Sequence, residues 1–245
     1  MEPAKKIIVL GSGRSGTSMV AGCLRGTGLF EGQKFCKPTK SNPKGFFEDR
    51  EVNLLNESIL KQVPGLRGMR RGRRWLAIVP NGHKFSISEP VNRKINKLTG
   101  REAFCYKDPR FCYTLPCWLP KLPSVHLVCV FRHPDTTVRS MLRECKQATY
   151  LRGFRINRPK AIRIWECMYL HVLKHQLSGG NWLFLHYDQM LFSDGTERLE
   201  EFLGLGLDSE FPDTSLRRTS ASKSSVNKNA LSLYARLCSL SGYSD

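Results

Sequence analysis

A glycine-rich turn near the start of the chain combines a cation with several hydroxyl groups. The stretch KKIIVLGSGRSGTSMVAGCL runs from Lys5 to Leu24 and reads as a short apolar strand, a turn and a helix. Such a turn aims consecutive backbone N–H groups at one point, and its glycines let the backbone approach an anion closely. The stretch therefore predicts a phosphate-binding loop, lined by Gly13, Arg14, Ser15, Gly16, Thr17 and Ser18.

Two common phosphate-binding templates fit this loop in part. The spacing GxGxxG matches a dinucleotide fingerprint, which also needs an acidic residue about 20 positions further on. Only Glu31 is available, and its surroundings, FEGQKF, make a poor buried strand. The Walker A template fits except that Thr17 replaces its lysine. Since Arg14 supplies a cation instead, the loop suits an anion that is bound without a metal ion.

Two further strand ends carry polar side chains. Lys107-Asp108-Pro109-Arg110 follows a short predicted strand, and Arg132 follows the apolar run VHLVCVF. Ligands bind at the carboxyl ends of open parallel sheets. Ser140 stands eight residues after Arg132, about two turns along a predicted helix, so that both could hold one further phosphate. Arg132 could equally be an ordinary strand end and Ser140 an ordinary helix residue. Together with the loop, however, they favour the binding of a phosphate.

The elements that would position these residues alternate between strand and helix. The first predicted strand begins near Lys5, and three further strands cover residues 103–106, 125–131 and 182–185. The predicted helices cover 17–25, 50–62, 88–98, 134–145, 157–177, 196–203 and 230–240. This alternation predicts one α/β domain, residues 1–245, with a mainly parallel central sheet.

Charge is the main compositional signal. The 245 residues carry 39 Lys and Arg against 21 Asp and Glu, a formal charge of +18, which implies an anionic partner. Residues 64–100 form a predicted insertion or acceptor-side loop region that contains RGMRRGRRW. Its arginines predict either a solvated, mobile loop or a basic rim that attracts an acidic acceptor. They are Arg67, Arg70, Arg71, Arg73 and Arg74.

Cysteine usage and hydropathy bear on the compartment. The nine cysteines include no C-x-x-C pair, which argues against zinc, and several lie in apolar runs, as reduced core thiols do. No signal peptide is recognised and no apolar run approaches the roughly 20 residues of a membrane span. We expect a cytoplasmic protein, unless the sequence is part of a longer, membrane-anchored chain.

The motifs together resemble a known family. GSGRSGT followed by FRHPDTTVRS is similar to the nucleotide-binding motifs of sulfotransferases that use 3′-phosphoadenosine 5′-phosphosulfate (PAPS). NPKGFFEDREVNLLNESIL and KDPRF are similar to stretches of bacterial-type members, and the resemblance spans roughly residues 5 to 205. It implies a P-loop NTPase-like three-layer α/β/α fold. It also implies that the loop holds the 5′-phosphosulfate and that Arg132 and Ser140 hold the 3′-phosphate.

The resemblance also suggests catalytic roles. Sulfuryl transfer from PAPS leaves adenosine 3′,5′-bisphosphate, and the protein mainly positions the reactants and stabilises negative charge. Arg14 stands where relatives have a lysine or arginine, and Lys107 aligns with a lysine that contacts the transferring group. Pro109 occupies the position of the histidine base of cytosolic members, so another base is needed.

Glu48 is our candidate for that base. It follows two aromatic residues, which could line a hydrophobic pocket around it, although it could also simply stabilise a helix N-terminus. Asp108 is the next candidate, unless it orients Arg110 or Lys107. The weaker candidates are Glu31, Glu51 and His83.

The C-terminal part adds a weaker expectation. Arg217 and Arg218, with Thr219 and Lys223 beyond them, stand where relatives often place a basic segment that closes over the nucleotide. The R-x-G-x-x-G pattern of cytosolic members is missing, and a solvated basic tail explains these residues equally well.

The predicted function is transfer of a sulfuryl group from PAPS to a hydroxyl or amine of a small-molecule or saccharide acceptor, without a metal. One alternative is a P-loop small-molecule kinase, which would need a Walker lysine and an acidic strand end for Mg²⁺. Another is a protein that binds a polyanion or nucleic acid, although aromatic residues are not interleaved with the arginines as base-stacking platforms would be. The sequence leaves the acceptor and the oligomeric state open.

Overall fold

The computed structural model describes residues 5–29, 39, 42–218 and 226–244. Its central sheet contains four parallel strands in the order β2-β1-β3-β4. Their bounds are β1 Lys6–Leu10, β2 Phe104–Lys107, β3 His126–Phe131 and β4 Asn181–His186. The strands read as continuous apolar runs because helices cover both faces of the sheet.

Helices form a layer on each side of this sheet. They are α1 Thr17–Cys23, α2 Arg50–Leu60, α3 Glu89–Thr99, α4 Phe111–Trp118, α5 Pro134–Gln147, α6 Arg158–Leu177, α7 Gln189–Phe192, α8 Gly195–Leu203 and α9 Lys228–Ser241. Helices α1, α7 and α8 pack on one face, and α2 to α6 with α9 pack on the other. The predicted three-layer α/β/α architecture with a parallel sheet is therefore confirmed.

Strand β1 shows how the two cores form. Successive side chains of a strand point to opposite faces of the sheet. Accordingly Ile7 and Val9 lie in the core beside α1, whereas Ile8 and Leu10 lie in the larger core beside α2 and α6. All four side chains are fully buried, so β1 anchors the loop that follows it from both sides.

Helix α4 was not predicted from the sequence. Its residues, FCYTLPCW, are mostly buried and therefore show no alternation of polar and apolar faces. Pro116 within the segment also argues against a helix when only the sequence is considered. The short helix α7 was missed too, because four residues carry no readable periodicity.

More side chains of the segment 64–88 pack in the core than its sequence suggested. It has only turns and one short 3₁₀ helix, Arg74–Leu76, yet Leu66, Trp75 and Val79 pack in the larger core. Whether residues 64–100 form an insertion stays a prediction.

The interpretation of RGMRRGRRW as a solvated loop is wrong for two of its five arginines. Arg67, Arg70 and Arg71 are exposed, but Arg73 and Arg74 are buried. Arg74 Nη1 lies 2.5 Å from Glu57 Oε2, and Arg73 Nη2 donates to the Arg152 carbonyl oxygen at 2.7 Å. These two arginines therefore hold the loop against its neighbours.

Among the helices of the described residues, none combines the length and the apolar character that a membrane crossing requires.

Candidate active site

The topology brings the three predicted polar strand ends together. Strand β1 lies between β2 and β3, so the chain leaves β1 toward one side and later returns to the other. Ligands of open α/β sheets bind in the crevice at such a switch point, outside the carboxyl ends of the strands. The loop after β1, Lys107 at the end of β2 and Arg132 after β3 all stand at this edge.

The loop after β1 has a backbone that depends on its glycines. Gly16 has φ of 99° and Gly11 has φ of 144°, both in the region that L side chains avoid. A Cβ atom on Gly11 would lie 2.1 Å from the Val130 carbonyl oxygen, so this glycine also allows close packing on β3. Arg14 has φ of 74°, an unusual conformation for a residue with a side chain.

Tyr169 of α6 holds the loop through contacts of its hydroxyl group. Its buried hydroxyl accepts a hydrogen bond from the Ser12 N–H at 3.1 Å and lies 3.0 Å from Ser15 Oγ and 2.9 Å from the Val130 carbonyl oxygen. Ser15 is itself fully buried, so its hydroxyl faces the core and does not line the groove described next. The Ser15 hydroxyl is engaged by Tyr169, and its contact with an anion stays a prediction.

A groove of about 150 Å³ opens over this loop, and we call it the loop groove. The predicted binding residues in its lining are Arg14, Gly16, Thr17, Ser18, Arg132, Ser140 and Arg218. Further basic and aromatic groups in its lining are Lys44, Phe47, Arg143, Tyr187 and Phe211. Backbone N–H groups, hydroxyls and five cationic side chains around an aromatic-walled groove fit a nucleotide with more than one phosphate.

Arg132 and Ser140 face the same groove from two elements. The Arg132 guanidinium lies over the Tyr187 ring, 4.0 Å from its centroid, and burial lowers the pKa of Arg132. Arg14 Nε donates to Ser140 Oγ at 3.2 Å, and Arg14 Nη1 lies 3.6 Å from Glu144 Oε2. Arg14 thus connects the loop with α5, which carries both Ser140 and Glu144.

A second cavity of about 330 Å³ adjoins the loop groove, and we call it the apolar cavity. Its walls include Phe46, Glu48, Gly72, Trp75, Lys107, Pro109, Arg110 and Tyr150. Arg14, Thr17 and Ser18 line both spaces. A molecule in each space would therefore meet its neighbour at the loop.

Glu48 and Lys107 form an ion pair in the apolar cavity. Glu48 Oε1 lies 2.6 Å from Lys107 Nζ, and their side chains are 12% and 2% exposed. Glu48 directly precedes Asp49, whose side chain accepts a hydrogen bond from the Val52 N–H and caps α2. Asp49 therefore caps the helix, and Glu48 lines the cavity beside Lys107.

Asp108 is engaged in the protein interior. Its Oδ1 accepts from the Arg110 N–H and from Arg110 Nη1, and its Oδ2 accepts from the side-chain amides of Asn53 and Asn56. Burial raises the pKa of Asp108, and the charge of Arg110 opposes this effect. Asp108 does not line the apolar cavity, so its geometry favours the role of orienting Arg110.

Other predicted residues lie elsewhere. Arg217 does not line the loop groove, because its Nη2 lies 3.0 Å from Asp188 Oδ1. Gly13 lines the apolar cavity, where a Cβ atom would lie 2.3 Å from the Trp75 ring. Glu51 is exposed on α2, and His83 packs edge to face against Phe85, so neither faces a cavity. Three predicted residues, Glu31, Thr219 and Lys223, lie outside the described residues.

The sequence analysis missed several lining residues. Arg143 follows Ser140 by one helical turn and Tyr187 follows directly after β4, so helical spacing and strand ends could have identified them. Lys44 and Tyr150 come from segments far apart in the chain, and only the folded structure brings them to the site.

Comparisons with known proteins agree with this architecture. No family model and no curated protein sequence matches the chain. A sulfotransferase domain from the curacin biosynthetic pathway superposes with a TM-score of 0.55 at 15% identity, over 96% of this chain and 97% of that one. The sulfotransferase STF9 from Mycobacterium avium superposes with a TM-score of 0.52 at 14% identity, over 98% of this chain and 76% of that one.

The chain therefore has the fold of the bacterial sulfotransferases. The resemblance inferred from GSGRSGT and FRHPDTTVRS is confirmed at the level of the fold. At these identities the superpositions establish the architecture alone. Any argument about activity depends on the residues of the site.

Proposed function

We propose that this protein is a sulfotransferase that moves a sulfuryl group from PAPS to a hydroxyl or amine of a small acceptor. One observation carries the proposal: the loop groove and the apolar cavity share Arg14, Thr17 and Ser18. A phosphosulfate that binds in the groove would present its sulfuryl group to the cavity at these residues. This layout supports an in-line attack by an acceptor that lies on the opposite side.

The loop groove supplies separate partners for two phosphate positions. The N–H groups of Gly16, Thr17 and Ser18 at the start of α1 suit the 5′-phosphosulfate. Arg132, directly after β3, and Ser140 of α5 also line the groove and suit the 3′-phosphate. Arg218 and Lys44 add positive charge to the lining and would favour an anionic nucleotide.

The apolar cavity supplies the groups that the acceptor reaction needs. We assign Glu48 as the base that accepts the acceptor's proton, since its carboxylate faces the cavity. Lys107 holds this carboxylate in place and offers an ammonium group to the charge that develops on the transferring sulfuryl oxygens. Arg14 stabilises the charge on the departing bisphosphate, because its side chain lies between the two spaces.

Thermal unfolding with nucleotides tests this proposal. We expect adenosine 3′,5′-bisphosphate at about 100 times its Kd to raise Tm by roughly 5–10 °C without added magnesium. Adenosine 5′-monophosphate, which lacks the 3′-phosphate, is the matched control and should have a much smaller effect. Labelled PAPS should then transfer its sulfuryl group within a screen of phenols, alcohols, amines and saccharides.

The same measurement separates the alternatives. Stabilisation by ATP with magnesium, and none by the bisphosphate, would support a small-molecule kinase and refute the sulfotransferase proposal. Salt-sensitive binding of RNA or heparin without any effect of nucleotides would instead indicate a polyanion-binding protein.

A further inference from the structure

The interior of the apolar cavity offers little attraction to a charged ligand. Its broad surfaces come from Phe46, Trp75, Pro109 and Tyr150. Each cationic side chain in its lining already faces a carboxylate. The pairs are Arg14 with Glu144, Lys107 with Glu48, and Arg110 with both Asp108 and Glu57.

This pairing has a consequence for the group that enters the cavity. A second anion would have to compete with the carboxylates that the cations already contact, and it would lose hydration in an apolar space. The volume of about 330 Å³ is at the small end of ligand pockets, which range from about 300 to 1,000 Å³. The cavity therefore suits an uncharged ring or short apolar chain that bears the reacting hydroxyl.

The opening of the cavity has the opposite character. Two of the lining residues that reach the surface, Gly72 and Tyr150, come from separate segments of the chain. Arg70 and Arg71 precede Gly72 directly, and Arg152 follows Tyr150 by two residues; all three arginines are exposed. Exposed arginines thus adjoin lining residues of the cavity in both segments.

Arg73 holds these two segments side by side. Its Nη2 donates to the Arg152 carbonyl oxygen at 2.7 Å, and its Nε donates to the Tyr150 carbonyl oxygen at 3.4 Å. The guanidinium also lies over the Phe154 ring, 5.4 Å from the centroid. The exposed arginines of these two joined segments are therefore close to one another, and we call them the basic rim: Arg70, Arg71 and Arg152.

The segments that carry the basic rim contain no acidic residue to neutralise it. The sequence has no Asp or Glu between residues 58 and 88, and none between 145 and 165. Over these two stretches the formal charge comes only from lysine and arginine. A surface of one sign attracts ligands of the opposite sign and raises their local concentration.

We infer that the acceptor is an amphipathic anion: an apolar part that bears the reacting hydroxyl enters the apolar cavity, and a carboxylate or phosphate stays outside at the basic rim. This inference rests on the proposed function and specifies its acceptor. An acidic saccharide that carries charge on every ring does not fit, because its charges would enter the apolar cavity. A neutral phenol or alcohol fits the cavity but leaves the rim unused.

Binding of a matched ligand series tests the inference. The series is ω-(4-hydroxyphenyl)alkanoates of increasing chain length, each compared with its neutral amide, by calorimetry in the presence of adenosine 3′,5′-bisphosphate. We expect the carboxylate to bind at least about fivefold more tightly than the amide once the chain is long enough to reach the rim, with the difference lost at high salt. Equal binding of acid and amide at every length would overturn the inference.

Charge reversal locates the effect. Arg70→Glu with Arg71→Glu should abolish the preference for the carboxylate and leave the affinity for the amides unchanged. Lys174→Glu is the control, a positive-to-negative reversal at a distant site. Lys174 is exposed near the end of α6. This helix leads to the amino end of β4, at the opposite edge of the sheet. An equal loss of preference in the Lys174→Glu variant would show that net charge, and not the rim, attracts the anion.

The design separates this inference from the proposed function. Acceptor binding can be measured without the bisphosphate as well, and it needs no transfer. If acids bind better than amides but no PAPS is consumed, the proposed activity is refuted and the inference about the basic rim is supported. If PAPS is consumed with neutral phenols as readily as with their acids, the activity stands and the inference fails.

Discussion

At the scale of single residues, the site is a set of charged groups that each have a defined neighbour. Glu48 and Lys107 lie 2.6 Å apart in the apolar cavity, and Arg132 lies over Tyr187 in the loop groove. Because one pair faces each space, substitutions should separate the chemical step from the binding of the nucleotide.

Glu48→Gln is expected to slow turnover. The amide keeps the size of the side chain but cannot accept the acceptor's proton, so kcat should fall by about 10² to 10⁴ while the affinity for adenosine 3′,5′-bisphosphate stays unchanged. Steady-state kinetics with labelled PAPS measures the fall. Glu51→Gln is the matched control, because Glu51 is exposed on α2. Unchanged turnover in the Glu48 variant would remove it as the base.

Arg132→Ala is expected to act mainly on binding. Removal of a guanidinium that contacts a phosphate should raise the Kd of the bisphosphate about tenfold to a hundredfold. The affinity for adenosine 5′-monophosphate should change less, since that nucleotide lacks the 3′-phosphate. Arg217→Ala provides the comparison, as Arg217 contacts Asp188 outside the loop groove. A loss of kcat with an unchanged Kd would contradict the assignment.

At the scale of elements, helix α6 positions the glycine-rich loop after β1 through one side chain. The Tyr169 hydroxyl contacts Ser12, Ser15 and the end of β3, so a helix far along the chain fixes the turn after β1. The loop has glycines and an arginine at positive φ, and such a backbone needs external support to keep one conformation.

Tyr169→Phe should therefore weaken nucleotide binding without a change in the residues that contact the nucleotide. We expect the Kd of the bisphosphate to rise about fivefold, and the free energy of unfolding to fall by about 1 kcal/mol. Tyr106→Phe is the matched control, because the buried Tyr106 hydroxyl donates to the Leu98 carbonyl oxygen away from the loop. Equal nucleotide affinity in both variants would refute a positioning role for Tyr169.

At the scale of the whole molecule, stability depends on pH through buried histidines. Burial, together with the charge of His171, lowers the pKa of His175 from 6.5 to about 4, although its Nε2–H donates to the Cys112 carbonyl oxygen. Burial also lowers the pKa of His171, one helical turn away. Both residues join α6 to neighbouring parts of the larger core, so their protonation opposes folding of the domain.

The sign of the pH dependence follows from these lowered pKa values. Below pH 6.5 the unfolded chain binds a proton that folded His175 does not, so stability is complete above this pH and declines toward pH 4. Near pH 5, His175 alone should cost about 2 kcal/mol of the free energy of unfolding. Urea unfolding at pH 7 and pH 5 measures the decline, which should be smaller in His175→Gln. The same decline in both proteins would exclude His175 as its source.

The sequence by itself determined the architecture and most of the charged and hydroxyl residues that line the loop groove. Strands and helices with clear periodicity alternated, and the loop GSGRSGT and Arg132 with Ser140 each lie within a short segment at a strand end. Local patterns of this kind are readable because the physics that selects them acts over a few neighbouring residues. Helix α4 was missed for the same reason, since a mostly buried helix has no polar face to reveal its period.

Only the tertiary structure decided which polar side chains are buried and which remain near the apolar cavity. The buried roles of Arg73, Arg74 and Asp108, and the inward turn of the Ser15 hydroxyl, depend on partners many residues away. The sequence could not tell a solvated arginine from a buried one, because burial is a property of what packs around it and not of its neighbours in the chain. Long-range packing thus divided the arginines into those that hold the fold and those that form the basic rim.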